Sequence, residues 1–442
     1  MDRLIFWEVN EINFEFVQHY INQGELPNWK RFIDKHGLFT TLSEKKYEQL
    51  EPWIQWPTVR TGLDFSEHKV FRLGDIKNAA LKQHWEILES EGFSVAALSP
   101  INAANNTEKS KFWIPDPWVD TNINGKGFIP RLAKAFKQAV NDNAKEKLEA
   151  RTVIAIIETL LTKTQLTSWP KYISVFFGVL KKQHWSKAIF LDRLLADVFI
   201  HLWNQHQPDF STLFLNSGAH IQHHYMCSSS AYQGEAKNPE WYIKSDQDPL
   251  LEILIVYDKV LAELNSLPNV RLMISIGLQQ VPYEQPTFYW RIKEHSNFLS
   301  KLGIKHKSVH PKMSRDFLID FNSNEELKIA QKKLLSITST DGKKIFSDID
   351  NKGDSLFVTL TYPYDIGGDT SIFLDQTEYT NFKDDVVFVA IKNGHHDTLG
   401  YYLDSYRKPG ELAKDLPLKN LFSYTLQHFG LDLTKLKLSH HN

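Results

Sequence analysis

Thr212-Leu213-Phe214-Leu215-Asn216-Ser217-Gly218-Ala219-His220-Ile221-Gln222-His223-His224-Tyr225 is the stretch on which the fold turns. Its first five residues predict a short buried strand, and a helix beginning near Gly218 sets His220, His223 and His224 at i, i+3 and i+4 on one face of one turn. A strand running straight into a helix is the repeating unit of a parallel sheet. In such a sheet the polar residues at the C-terminal strand ends are the ones presented to a ligand. Imidazoles at this spacing share a metal or grip an anion, and a solvated or capping histidine cluster explains the pattern equally well.

The same rhythm extends outward in both directions. Leu4 to Val9 reads as an opening strand, followed by a helical pattern from Phe14 to Ile21, the Gly24/Pro27 punctuation, and a helix from Trp29 to Lys35 ended by Gly37. A helix from Ile76 to Gly92 and a strand from Ser94 to Ala97 come next, and Pro249 to Leu267 followed by Val270 to Ser275 repeats the pair. This alternation predicts a three-layer α/β/α sandwich with a mostly parallel sheet. Between Pro130 and His206 the periodicity changes to long amphipathic helices, Arg131 to Ala150, Thr152 to Thr162 and Ser186 to Trp203, which read as a helical insertion. Strand (Phe317 to Phe321), helix (Asn324 to Ser336) and two strands (Lys344 to Ile349, Ser355 to Thr361) then predict a small α+β subdomain. Asp385 to Ile391 reads as a last buried strand before Asn393-Gly394-His395-His396. The expected division is 1–129, 207–310 and 376–442 for the α/β core, 130–206 for the insertion and 311–375 for the subdomain.

Composition narrows the function classes. The 442 residues carry 51 Lys+Arg against 53 Asp+Glu, a formal charge of −2, so no general basic surface exists to hold nucleic acid, although a local basic pocket stays open. Cys227 is the single cysteine, which rules out an intrachain disulfide and fits a reducing compartment. The N-terminus lacks the pattern of a secretory signal, so the expected location is the cytoplasm. The stretches Val153 to Leu161 and Tyr172 to Leu180 fall short of the ~20 apolar residues of a membrane span, so no transmembrane segment is expected. With 12 Trp, the insertion leaves room for peripheral membrane contact, against the burial preference that puts most Trp in a core.

Candidate site residues gather at the predicted strand ends: Glu8, Asn10 and Glu11; Asn216 with the three histidines; Gln279 and Gln280; His395 and His396. Adjacent residues diverge, so at most one of the last two faces a site. Glu51 to Gly62 reads as a loop too aromatic for an ordinary surface, and it offers Gln55, Thr58 and Arg60. Arg60 and Arg72 suit bidentate binding of phosphate, sulfate or carboxylate, or ion pairs with Glu67 and Asp75. Arg315-Asp316 reads as a structural ion pair, and Asp365 to Asp369 as a turn.

Taken in order, these pieces resemble the alkaline-phosphatase-like superfamily, in particular its type I phosphodiesterase, nucleotide pyrophosphatase and sulfatase-like branch. Gly24-Glu25-Leu26-Pro27-Asn28 before a helix resembles the family's first unit, and Trp56 to Leu63 with Ser66-Glu67-His68 its nucleophile loop. Ala219-His220-Ile221-Gln222-His223 is similar to its Asp-His-x-Gln-His segment, and Asn393-Gly394-His395-His396 to the segment with its final ligand histidine.

The resemblance implies an alkaline-phosphatase-like fold and displacement at a phosphate or sulfate ester, with two divalent metals and a Thr, Ser or modified Cys nucleophile. Carried over by residue, the implied metal ligands are Asn10, with Glu11 or Glu8 as substitutes, together with His223 and His396. Ala219 and Ile276-Gly277 stand where carboxylate and histidine ligands belong, and Pro52 falls in the nucleophile's place with Thr58 as its substitute. The expectation is therefore one divalent metal, zinc, on His223, His396 and Glu8 or Glu11, or a metal-free pocket where imidazolium and Arg60 bind the anion; a di-zinc centre is not expected. Thr58 and His220 are the candidate catalytic pair, and Gln55, Arg60, Arg72 and His224 the candidate substrate contacts. The partner expected is a small anionic ester of a sugar or nucleotide, processed by a hydrolase or transferase, with a pseudoenzyme that binds a glycan, nucleotide or protein as the alternative. A carboxylate arriving in the site from elsewhere would favour the enzyme, and Asp116 is one candidate.

Overall fold

The computed structural model describes residues 1–141, 149–312 and 315–431. Strands of the core sheet are β1 (Arg3–Val9), β2 (Phe39–Leu42), β3 (Val95–Leu98), β4 (Trp113–Ile114), β5 (Phe210–Leu215) and β6 (Val270–Ser275). β7 (Gln279–Ile292) leaves this sheet, and β8 (Ser308–Pro311), β9 (Asp316–Asp320), β10 (Thr338–Ser339), β11 (Asp348–Asn351), β12 (Ser355–Thr359), β13 (Ile372–Leu374) and β14 (Thr377–Tyr379) follow. β15 (Val386–Asp397) returns the chain, and β16 (Leu399–Asp404) and β17 (Leu416–Pro417) rejoin the core.

The core sheet has the order β17-β2-β16-β6-β1-β5-β3-β4. Its five strands from β6 to β4 are mutually parallel and β16 runs against them. β1 is buried on both faces because helices cover both: Ile5, Trp7 and Val9 enter one hydrophobic cluster, Leu4 and Phe6 another. Trp7 stacks on Trp29, ring centroids 5.7 Å apart, and meets Tyr257 edge-on. The molecule is thus a mixed α/β fold with a large, mostly parallel sheet, as the alternation in the sequence predicts.

The helices nearest the site are α1 (Phe14–Asn22), α2 (Pro27–His36), α3 (Pro52–Thr61), α4 (Phe65–His68) and α5 (His84–Ser90). α6 (Ile129–Asn141), α7 (Ala150–Lys163), α8 (Trp169–Leu180) and α9 (Trp185–His206) lie between β4 and β5, in the stretch read from sequence as an insertion, and α10 (Ser217–Tyr225) and α11 (Pro249–Asn265) follow β5. The helix expected from Arg131 to Ala150 runs partly outside the described residues.

Two elements depart from the sequence reading. The stretch expected as an aromatic loop is helix α3, begun by Pro52 at its first turn and ended by Gly62 in the left-handed region. Pro57 inside it removes one backbone donor, which leaves the Trp53 carbonyl free, and Asn102 Nδ2 satisfies that carbonyl at 2.7 Å. The helix expected from Ile76 is instead a single turn, Asp75–Lys77, and the short α5, because Glu86 caps the Gln83 backbone N–H and starts the helix there.

A second hydrophobic core draws on Trp290, Ile292 and the residues from Phe298 to Val386. β9 and β12 pair antiparallel within it, and α13 (Asn324–Ser336), following α12 (His295–Lys301), covers them. The long antiparallel ribbon of β7 and β15 joins this core to the main one. His395 and His396 lie on that ribbon, opposite Val281 and Gln280.

Candidate metal centre

Three segments meet at the C-terminal edge of the parallel strands. Glu11 follows β1 and sits in the left-handed region at φ 60°, a strained conformation for a residue with a side chain. Its backbone is fixed from both sides: the N–H donates to the Ile276 carbonyl at 3.0 Å, and the carbonyl accepts from Gln280 N at 3.1 Å and Gln222 Nε2 at 2.7 Å. This twist points the buried carboxylate at α10 and β15. There Oε2 meets His223 Nε2 at 3.2 Å and His396 Nε2 at 3.1 Å, and also accepts from Gln280 Nε2. One ligand atom from each of Glu11, His223 and His396 lies within 4.8 Å of the others.

The electrostatics follow from packing. Burial raises the affinity of Glu11 for a proton, but the His396 charge and the hydrogen bonds from both imidazoles outweigh it and hold the carboxyl well below the usual range. Burial works against a charged His396, yet Glu11 and its hydrogen bond push that imidazole up to about 9. Beyond it stands Glu51, whose Oε2 is 3.5 Å from His396 Nδ1 and whose carboxyl burial pushes up to about 7. Glu51 thereby orients the imidazole through the nitrogen that faces away from Glu11, the arrangement typical of a ligating histidine.

α10 supplies the rest of the floor. His220 and His224 rings are 4.9 Å apart on the same helical face as His223. His220 is exposed and His224 half-buried, with protein atoms crowded around both rings. Burial pushes His220 down to about 4, with His223 adding to the shift, and His224 further. Both are neutral near pH 7. Beside Glu51, the rim carries Lys392 and Arg315, each set against an aromatic ring: Lys392 Nζ is 4.0 Å from the Tyr283 centroid and the Arg315 guanidinium 4.2 Å from that of Tyr289.

Other sequence candidates have different employment. Asn10 Oδ1 accepts from Trp56 Nε1 at 2.8 Å, and its Nδ2 donates to Glu11 Oε1 at 2.9 Å and Asn216 Oδ1 at 2.8 Å, so this residue positions Glu11 and offers no free oxygen. Glu8 and Arg60 form a fully buried bidentate pair, with Arg60 also donating to the Ile101 carbonyl, and neither is left for a ligand. Thr58 is buried, with its hydroxyl 3.1 Å from His68 Nε2 and 3.4 Å from the Ile54 carbonyl. Gln55 donates to the Gln49 carbonyl at 2.7 Å. Arg72 is exposed, and its backbone N–H donates to Asp75. Asp116 accepts from the backbone N–H groups of Asn102, Trp118 and Val119, closing a loop away from the cluster. His395 packs on Tyr283, centroids 5.7 Å apart, while His396 enters the cluster. Arg315 is not within ion-pair distance of Asp316 among the described residues, whose carboxylate accepts from Thr359 instead.

Glu51, Lys392 and Arg315 carry no motif. Glu51 is readable only as the residue before a helix-starting proline, and Lys392 only once β15 is known to run on through His396.

No family model and no curated protein matches the chain. Among solved structures, it is similar to phosphonoacetate hydrolase from Sinorhizobium meliloti 1021 in complex with phosphonoacetate, at 11% identity and a TM-score of 0.47, with 96% of each chain covered. It is likewise similar to murine ectonucleotide pyrophosphatase/phosphodiesterase 5, at 12% identity and a TM-score of 0.42, covering 97% of this chain and 95% of the other. A likeness this distant leaves the chemistry to be argued from the site's own donors.

Proposed function

We propose that the chain is a hydrolase of small anionic esters, phosphate or sulfate esters of a sugar or nucleotide, built around one divalent metal, zinc, on Glu11, His223 and His396. The observation that supports it is the convergence of one carboxylate and two imidazoles from three separate segments, with Glu51 orienting His396. One carboxylate and two imidazoles are a donor set that zinc accepts with a fourth position open. A zinc ion so held acts as a Lewis acid and lowers the pKa of water. Among the described residues a second ion has no comparable donors, since Asn10 is spent on Trp56, Glu11 and Asn216.

The protein's own groups suggest water as the nucleophile. Pro52 has no hydroxyl, and Thr58 is tied to His68 and the Ile54 carbonyl. His220, one turn before His223 on α10, is the imidazole placed to accept the proton of the attacking water. Lys392 and Arg315 attract the ester's negative charge, and the rings beneath them keep both cations at the rim. Glu51 holds His396 in place through Nδ1.

Hydrolysis of a panel of phosphate and sulfate mono- and diesters, with and without chelator, tests this reading. Turnover that chelation abolishes and added zinc restores is expected. Tight binding of an ester without turnover across the panel would favour the pseudoenzyme reading instead.

A further inference from the structure

Two helices between β4 and β5, α7 and α8, turn apolar side chains outward. On α7 the residues facing the protein are Thr152, Ala155 and Thr159, whereas Ile154, Ile157 and Leu161 are 64%, 49% and 63% exposed. α8 repeats the inversion: Tyr172, Val175 and Gly178 face inward, while Ile173, Phe176, Phe177 and Leu180 are each more than half exposed. The inner residues of α7 are small, and on α8 a Cβ on Gly178 would come within 2.2 Å of Ser186 Oγ on α9. A water-facing helix ordinarily carries its polar residues outside, and exposed apolar surface on this scale marks an interaction site.

Charge identifies what covers it. From Ala150 to Lys187 the chain carries Arg151, Lys163, Lys171, Lys181, Lys182 and Lys187 against Glu158 alone. Glu158 is itself paired with Arg131 at 2.6 Å, and Lys171 with Glu252 at 3.8 Å, which leaves the other five basic residues in excess. The excess is local, since the whole chain is slightly acidic. We propose that the outer faces of α7 and α8 lie on an anionic lipid bilayer, apolar side chains entering the acyl boundary and lysines meeting the headgroups. Apolar bulk with a basic rim is the composition of an interfacial helix. Neither helix, at 14 and 12 residues, reaches the ~20 needed to span, and none of the described helices is long and apolar enough to cross a membrane. A second copy packed on the same face in two-fold symmetry sets Lys181 and Lys182 against a like-charged surface. Of the three tryptophans in this stretch, Trp185 and Trp203 are buried and Trp169, at the start of α8, is half-buried, so the exposed apolar surface is mainly aliphatic and phenylalanine.

Flotation of the full chain with vesicles tests the proposal independently of the metal centre. Binding to phosphatidylglycerol-containing vesicles is expected, at least tenfold weaker to pure phosphatidylcholine and weakened by salt. Phe176→Ser/Phe177→Ser and Lys181→Glu/Lys182→Glu should each lower binding at least tenfold while far-ultraviolet circular dichroism and melting stay unchanged. No flotation, or flotation indifferent to both variants, overturns it. A dimer in sedimentation that the Phe variant splits, without vesicle binding, assigns the face to a second copy and likewise overturns it.

Discussion

Glu8 shows how one residue type at a strand end serves fold or function according to where its side chain points. Odd-numbered residues of β1 enter one face of the sheet, and Glu8 faces the other, where Arg60 lies between Trp56 and Trp85, 5.6 and 5.4 Å from their rings. Both charges are fully buried. Removing one partner leaves the other uncompensated, so Arg60→Leu should cost about 3–5 kcal/mol in urea unfolding, and Glu8→Met in the same chain should recover much of it. His84 is a second buried group, with neither ring nitrogen hydrogen-bonded, packed against Trp85 and Phe210. Burial, with Arg60 nearby, pushes its pKa well below 6.5. The folded state then binds no proton there, while the unfolded chain does below pH 6.5. Stability is fully present above that value and falls as pH drops through it, by up to about 1.4 kcal/mol per pH unit for the one proton. Unfolding free energies at pH 7 and 5 should show a smaller decline in His84→Phe. Neither role was legible in the sequence: Arg60 matched an anion binder or a partner for Glu67 or Asp75, and His84 lay inside a predicted helix.

At the level of elements, legibility followed periodicity. β1, β5, β6 and α13 were readable because unbroken apolar runs or a capped helical pattern leave one choice. α3 was not, since its two prolines and mixed aromatic and polar residues imitate a loop; only Asn102, some fifty residues on, repairs the helix at Pro57. The β7–β15 ribbon was also hidden, because β7 contains Pro282 and Pro286 and the pairing is interrupted between Lys392 and Gly394. That irregularity matters to the site. Gly394 leaves room for Gln280, whose Oε1 would lie 2.3 Å from an added Cβ, and Gln280 in turn holds Glu11. Gly394→Ala should therefore displace the Gln280 amide and weaken zinc binding about tenfold in competition with a chromogenic chelator, with the far-ultraviolet spectrum retained.

Across the whole molecule, the main sheet supplies Glu11 and carries α10, while His396 and Lys392 arrive on the ribbon that leads to the second core. The candidate site thus depends on both parts of the chain. Strand-end reasoning included Glu11, His223 and His396 in a wider set, the resemblance singled them out as possible ligands, and the fold brings their ligand atoms within 4.8 Å of one another. It missed Glu51, Lys392 and Arg315 as members of the site, because their proximity comes from the ribbon's path and not from any local pattern. The balanced composition of 51 basic and 53 acidic residues likewise concealed a basic, apolar-faced insertion. The most direct test of the account is the metal content of the purified chain after zinc loading and desalting, measured by inductively coupled plasma mass spectrometry. The account predicts close to one zinc per chain, lost in Glu11→Gln and in His223→Ala/His396→Ala while the melting profile keeps its single transition. No retained zinc, two per chain, or one that persists in those variants would contradict it.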